Sequence, residues 1–102
     1  MEKSEKRGYD LVLKLFVSGA SPNSVRAITN IKVTLNKYVP GKYSLSIIDI
    51  YQDKTVASEE QIIAVPLLIR KFPLPERRMI GDMSDTNKLL KGLEIATGTV
   101  EK

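Results

Sequence analysis

An α/β domain with a strand–helix–strand unit at its front is predicted by three features of the 102-residue sequence. Tyr9–Val17 (YDLVLKLFV) is apolar on both alternating faces, as in a strand that is central in its sheet. Ser21-Pro22 is followed by apolar residues at helical spacing until Pro40-Gly41. Tyr43, Leu45 and Ile47 then alternate with polar residues, and Ile48 and Ile50 continue the apolar character of a second buried strand. A helix of about four turns between two strands makes the strands parallel, joined by a right-handed crossover.

Each element has a local cause. In the first strand Tyr9, Leu11, Leu13 and Leu15 share one face, and Val12 and Phe16 share the other beside Lys14. Ser18-Gly19-Ala20 breaks it. Ser21 suits an N-cap, where its hydroxyl accepts from a free backbone N–H, and Pro22 suits the first helical turn. Val25, Ile28, Ile31, Leu35 and Tyr38 form the predicted apolar stripe, with Arg26, Asn30, Lys32 and Lys37 mostly elsewhere. Residues 1–8 read as a solvated tail, 9–96 as a single domain and 97–102 as a tail or terminal strand.

Two parses of the second half compete. In one, Asp53–Ile63 is a short amphipathic helix with Val56, Ala57, Ile62 and Ile63 as its apolar side. A strand then opens at Val65-Pro66, Arg77–Gly81 is another strand, and Ser84 caps a last helix carrying Leu89, Leu90 and Leu93. That order, βαβαββα, is thioredoxin-like. In the other, Ile62, Val65, Ile69 and Phe72 also obey helical spacing, so residues 59–72 can be helical around a proline near a helix start. Gly92 weakens the final helix by about 1 kcal/mol relative to Ala. Ile95, Thr97, Thr99 and Val100 suit a strand by type. Two packings within a few kcal/mol of each other account for such disagreement. At Val65-Pro66 both a cis bond and a trans proline opening an edge strand are open readings.

Composition excludes several function classes. The chain has no Cys and no His, which removes disulfides, dithiol chemistry, Cys/His zinc sites and every triad that uses either residue. Ser21-Pro22-Asn23-Ser24 stands where redox thioredoxin-like proteins place two cysteines, and serine oxygens cannot form the disulfide. A helix cap explains it, and a serine nucleophile would lack a histidine base. The net charge of +4 is mild. Lys6, Arg7, Lys14, Arg26, Arg70, Lys71, Arg77 and Arg78 supply most of its clustering, which reads as a solvated face or as docking on an acidic protein surface. No aromatic residues interleave with them as RNA platforms require. Asp49, Asp53, Glu59, Glu60, Asp82 and Asp85 lack metal-site or glycosidase spacing and read as caps and solvated groups. The start of the chain lacks the apolar core of a signal peptide, and Ile62–Ile69 is too short to span a bilayer. The expectation is a cytoplasmic protein with no cofactor, binding neither nucleic acid nor membrane.

The segments LKLFVSGASPNSVRAITNI, YSLSIIDIYQD, EEQIIAVPLLIRKFPLPERRMIGDMSD and KLLKGLEI closely resemble the KaiB family of bacterial clock-associated proteins. The resemblance runs from about Tyr9 to Ile95 and is most specific at residues 21–26, at Ile48-Asp49 and at the block from Pro73 to Asp82. It implies a non-enzymatic regulatory protein that binds the N-terminal ring of a KaiC-type hexameric ATPase. Further partners would be KaiA or a KaiC-linked histidine kinase. It also implies two folds: a resting βαββααβ homotetramer (or dimer), expected for the free chain, and a βαβαββα monomer that binds KaiC.

By position, Lys14, Arg26, Arg70, Arg77 and Arg78 match basic residues that bear on partner binding. Pro66, Pro73, Pro75, Gly92 and Glu94 fall where the fold balance is set. On helix propensity, Gly92→Ala is expected to favour the thioredoxin-like monomer and tighten KaiC binding. Two features depart from cyanobacterial members: Val65-Pro66-Leu67 replaces Thr-Pro-Thr, and no long acidic tail follows the last element. Relatives in bacteria without KaiA imply stress adaptation as an alternative to rhythm. Outside this family, the readings are a glutathione-binding thioredoxin-like domain, echoed by Val65-Pro66-Leu67 and Gly81–Asp85, and a stand-alone sensor or scaffold module.

Overall fold

A computed structural model describes residues 11–62 and 64–95. The elements run β1 (Leu11–Val17), α1 (Pro22–Tyr38), β2 (Tyr43–Asp49), α2 (Lys54–Glu59), β3 (Leu67–Phe72), β4 (Arg77–Ile80) and α3 (Thr86–Leu93). This is βαβαββα, the first of the two parses. Tyr9, Ile63, the N-terminal tail and the proposed terminal strand at 97–100 lie outside the described residues.

One four-stranded sheet has the order β2-β1-β3-β4. β1 pairs parallel with β2, as the intervening helix requires, and antiparallel with β3, which pairs antiparallel with β4. β1 is therefore central, and both of its faces are covered. Leu11, Leu13, Leu15 and Val17 pack with Ala27, Ile31 and Leu35 of α1 and Leu89 and Leu93 of α3. Phe16 packs on the opposite face with Leu67 and Ile69, beside Val56 of α2 and Ile62. The helical reading of residues 59–72 fails here because Leu67–Phe72 has strand partners on both sides, while α2 ends at Glu59.

Four local expectations are corrected. The sheet-facing stripe of α1 is Ser24, Ala27, Ile31, Thr34 and Leu35, whereas Val25 is 49% exposed. Small residues, invisible to a hydrophobicity count, line that face. β2 is an edge strand with no fully buried residue, because only β1 pairs with it. Asp85, not Ser84, caps α3: its carboxylate accepts from Lys88 N at 3.1 Å, and an anion suits the positive end of the helix. α2 is capped by Asp53 and is shorter than Asp53–Ile63. Ser21 caps α1 as expected, accepting from Ser24 N. The Val65–Pro66, Phe72–Pro73 and Leu74–Pro75 bonds are all cis.

Gly92 sets a steric contact against the propensity argument. It sits inside α3, and a Cβ there would fall on Met79 Sδ of β4, with Cε at 3.1 Å and Cγ at 3.2 Å. The glycine allows α3 to lie close against β4. Met79 is unbranched and only partly buried, so its end can swing aside, and the steric cost is small beside a propensity gain of at most about 1 kcal/mol. Gly92→Ala is therefore expected to change stability by less than about 1 kcal/mol in urea unfolding. Adding the same change to Met79→Ala should stabilise by up to about 1 kcal/mol, because the obstructing side chain is gone and the propensity gain remains.

Candidate functional site

Strand alternation sorts the basic residues onto opposite faces. In register, Lys14 of β1 lies opposite Ile69 of β3, which lies opposite Arg78 of β4. This row is on the α2 face. The next row, Leu13, Arg70 and Arg77, is on the α1/α3 face. The five basic positions singled out by family resemblance therefore do not form one patch.

On the α2 face three cations converge on Glu60, the C-cap of α2. Lys14 Nζ is 3.4 Å from Glu60 Oε2, and Lys71 Nζ is 3.3 Å from the same oxygen. Lys71 also pairs with Glu76 at 2.7 Å. Arg78 Nη2 lies 3.9 Å from Glu60 Oε1 and donates to the Glu60 carbonyl at 2.6 Å, while Nη1 reaches the Gln61 carbonyl at 3.4 Å. The guanidinium thus caps the negative end of α2. All three cations stay partly exposed. Burial pushes the Glu60 carboxyl up, but Lys71 and Lys14 outweigh it and hold the group below its ordinary value. Glu76, followed by Glu60, raises Lys71 against its own desolvation.

The α3 face is different. Arg70 is 1% exposed, so in this arrangement it offers no guanidinium to a partner. Its Nη1 donates to the Leu93 carbonyl at 3.0 Å and to Glu94 Oε1 at 2.9 Å, and Nη2 donates to the Pro75 carbonyl at 2.8 Å. Arg77 Nη2 bonds the other Glu94 oxygen at 3.0 Å. Arg70, then Arg77, holds the Glu94 carboxyl below its usual range. Glu94 itself caps α3 in the left-handed region at φ 59°.

Arg26 stands apart at the start of α1, paired with Asp82 at 3.3 Å and with Asn23. Ser84 is the main cause, and Arg26 a lesser one, of the lowered Asp82 pKa. Sequence reasoning placed Glu60 among solvated acids and passed over Lys71 and Glu76 as site residues. Their grouping depends on the β1–β3 register, which no short-range pattern encodes.

A cleft of about 350 Å³ between β4 and the start of α3 is lined by Arg78–Asp85, Lys88 and Leu89. Within it Asp82 accepts from Ser84 N and Asp85 from Lys88 N, so two of the backbone donors there are already answered by carboxylates. Ser18, Ser21 and Ser24 satisfy one another: Ser21 Oγ is 3.1 Å from Ser18 Oγ and donates to Ser24 Oγ at 2.9 Å, and Ser24 Oγ accepts from Ser18 N at 3.1 Å. Among the described residues no cluster of acids suits a metal ion, and no helix is long and apolar enough to cross a membrane.

A mixed sheet in this order, with a capped helix after β1 and serines in place of a dithiol, defines a thioredoxin-like domain without redox thiols. The fold is similar to that of mitochondrial thioredoxin 3 from Saccharomyces cerevisiae (TM-score 0.68, 15% identity, 84% of this chain and 78% of that one). It is equally similar to the N-terminal domain of Synechococcus elongatus SasA (TM-score 0.68, 21% identity, 84% and 85%). Residues 14–95 match the KaiB domain. The circadian clock oscillator protein KaiB of Synechococcus elongatus is 43% identical over 90 residues, covering 88% of each chain. That of Picosynechococcus is 45% identical over 84 residues, covering 82% of this chain and 81% of the relative. The chain belongs to the KaiB family, and both of these relatives are circadian clock oscillator proteins.

The two lowered glutamates set a pH dependence. A carboxylate whose native pKa lies below its unfolded value stabilises fully above the unfolded value and loses that contribution as pH falls through the native one. The urea midpoint is expected to be flat from pH 7 to about 5 and to fall below about pH 4.5. Glu60→Gln should make that fall shallower.

Proposed function

We propose that the chain is a non-enzymatic, cytoplasmic regulatory protein that binds a KaiC-type hexameric ATPase in the βαβαββα arrangement. KaiB-family membership over residues 14–95 carries the reading. The surface on the α2 face supports it: Lys14, Lys71 and Arg78 face Glu60 and Glu76, so cationic groups exceed carboxylates there. An acidic partner surface can compete for these groups, and such complementarity chiefly steers encounter and fixes register. Arg26 and Arg77, both exposed and each paired with a single acid, lie outside this group and are secondary contacts. Arg70 has no part in direct contact.

A KaiA-like partner or a histidine kinase linked to the ATPase would compete for the docked chain, and the free chain would rest as an oligomer in the alternative βαββααβ order. Pro66, Pro73, Pro75, Gly92 and Glu94 all lie in the half whose order differs between the two arrangements. A glutathione-binding role is disfavoured by the cleft ahead of α3, whose lining includes the Asp82 and Asp85 carboxylates, bonded to Ser84 N and Lys88 N, where an anionic ligand would sit.

The test is association with the cognate KaiC-type ATPase during ATP hydrolysis, measured by co-purification and by ATPase rate. The wild-type chain should form a complex. Lys14→Glu and Arg78→Glu should each weaken it about tenfold or more, and Lys32→Ala on the exposed side of α1 should leave it within about twofold. A wild-type chain that does not associate would refute the proposal.

A further inference from the structure

Arg70 is the largest fully buried side chain of the described chain, and it is charged. A buried cation persists only when its donors are answered. Its answers come from two separate segments: the Leu93 carbonyl and the Glu94 carboxylate at the end of α3, and the Pro75 carbonyl in the loop between β3 and β4. The Leu93 carbonyl is one of the last four of a helix, which have no partner within it and carry the negative end of its dipole. Arg70 Nε has no acceptor among the described residues, so no spare acceptor there stands ready to replace one that is lost.

We infer that Arg70 is a latch that makes the end of α3 and the β3–β4 hairpin hold to the sheet, or leave it, as one unit. If α3 departs, the guanidinium loses Leu93 and Glu94 together and must seek water, which pulls it from Pro75. If the hairpin opens, water reaches the same guanidinium and its bonds to α3 weaken. Only a planar fork spans these acceptors at once, which a lysine ammonium does not reproduce. Glu94 tunes the latch, since its two oxygens tie Arg70 and Arg77 to one carboxylate. The latch thereby acts on docking without touching the partner. That last consequence rests on the proposed ATPase binding, while the latch itself does not.

Amide hydrogen exchange on the full chain tests it, with Glu94→Gln, Arg70→Met and Arg70→Lys. Glu94→Gln keeps shape and changes a half-exposed group, so it guards against the chance that Arg70→Met fails to fold. Exchange of the α3 amides (Leu89–Leu93) and of the β4 amides (Arg77–Ile80) should speed up together, about fivefold or more in Glu94→Gln and further in both Arg70 variants. Amides of α1 should keep their rates. Acceleration of α3 with β4 unchanged, or of neither, overturns the latch. A parallel binding measurement keeps the two claims apart. Coupled exchange in a chain that never binds the ATPase refutes the proposed function and upholds the latch. Uncoupled exchange in a chain that binds refutes the latch and upholds the function.

Discussion

Everything in this molecule depends on β1 being buried on both faces. A strand with Leu11, Leu13, Leu15 and Val17 on one side and Phe16 on the other needs helices above and below it and strand partners on both edges. The sequence places α1 and β2 directly after it, and these cover one face and one edge. The other edge and the rest of the burial must come from residues beyond 50. Which of those residues pair with β1 is the one large decision the fold has to make. In the structure β3 makes it, and the surface charges follow from its register.

The first half was legible because its signals are local. Ser21-Pro22 marks the start of α1 by capping chemistry, and Pro40-Gly41 marks its end. The parallel pairing follows from the crossover. The detail of α1 was not legible: Ser24, Ala27 and Thr34 face the sheet while Val25 faces solvent. The true stripe consists of residues chosen for size, and hydrophobicity alone pointed a fraction of a turn away. The second half gave two answers because Leu67–Phe72 is apolar enough to be a strand and spaced well enough to be a helix. Long-range pairing with β1 and β4 decides between them here. Likewise, Asp85 and Ser84 are both good caps, and geometry alone selects the acid.

The candidate site was legible as a set of basic residues and illegible as an arrangement. Alternation along β3 and β4 sends Arg70 and Arg77 to one face and Lys71 and Arg78 to the other. Residues adjacent in sequence consequently acquire unrelated roles. Lys71 and Arg78 are anchored on Glu60 at the end of α2, exposed enough to meet another surface. Arg70 is sealed beneath α3, where its charge serves the fold. The glycine at 92 shows the same lesson in the opposite sense, since a helix-weakening residue is where the Met79 side chain lies close against α3.

The most direct measurement of the central claim is the backbone NOE pattern of the chain while it is held by its ATPase. Close contacts from Ile69 to Lys14 on one side and to Arg78 on the other are the result this account predicts, because they define the row on which the basic face is built. Helical medium-range contacts running through Ile69, with neither cross-strand contact present, would contradict it.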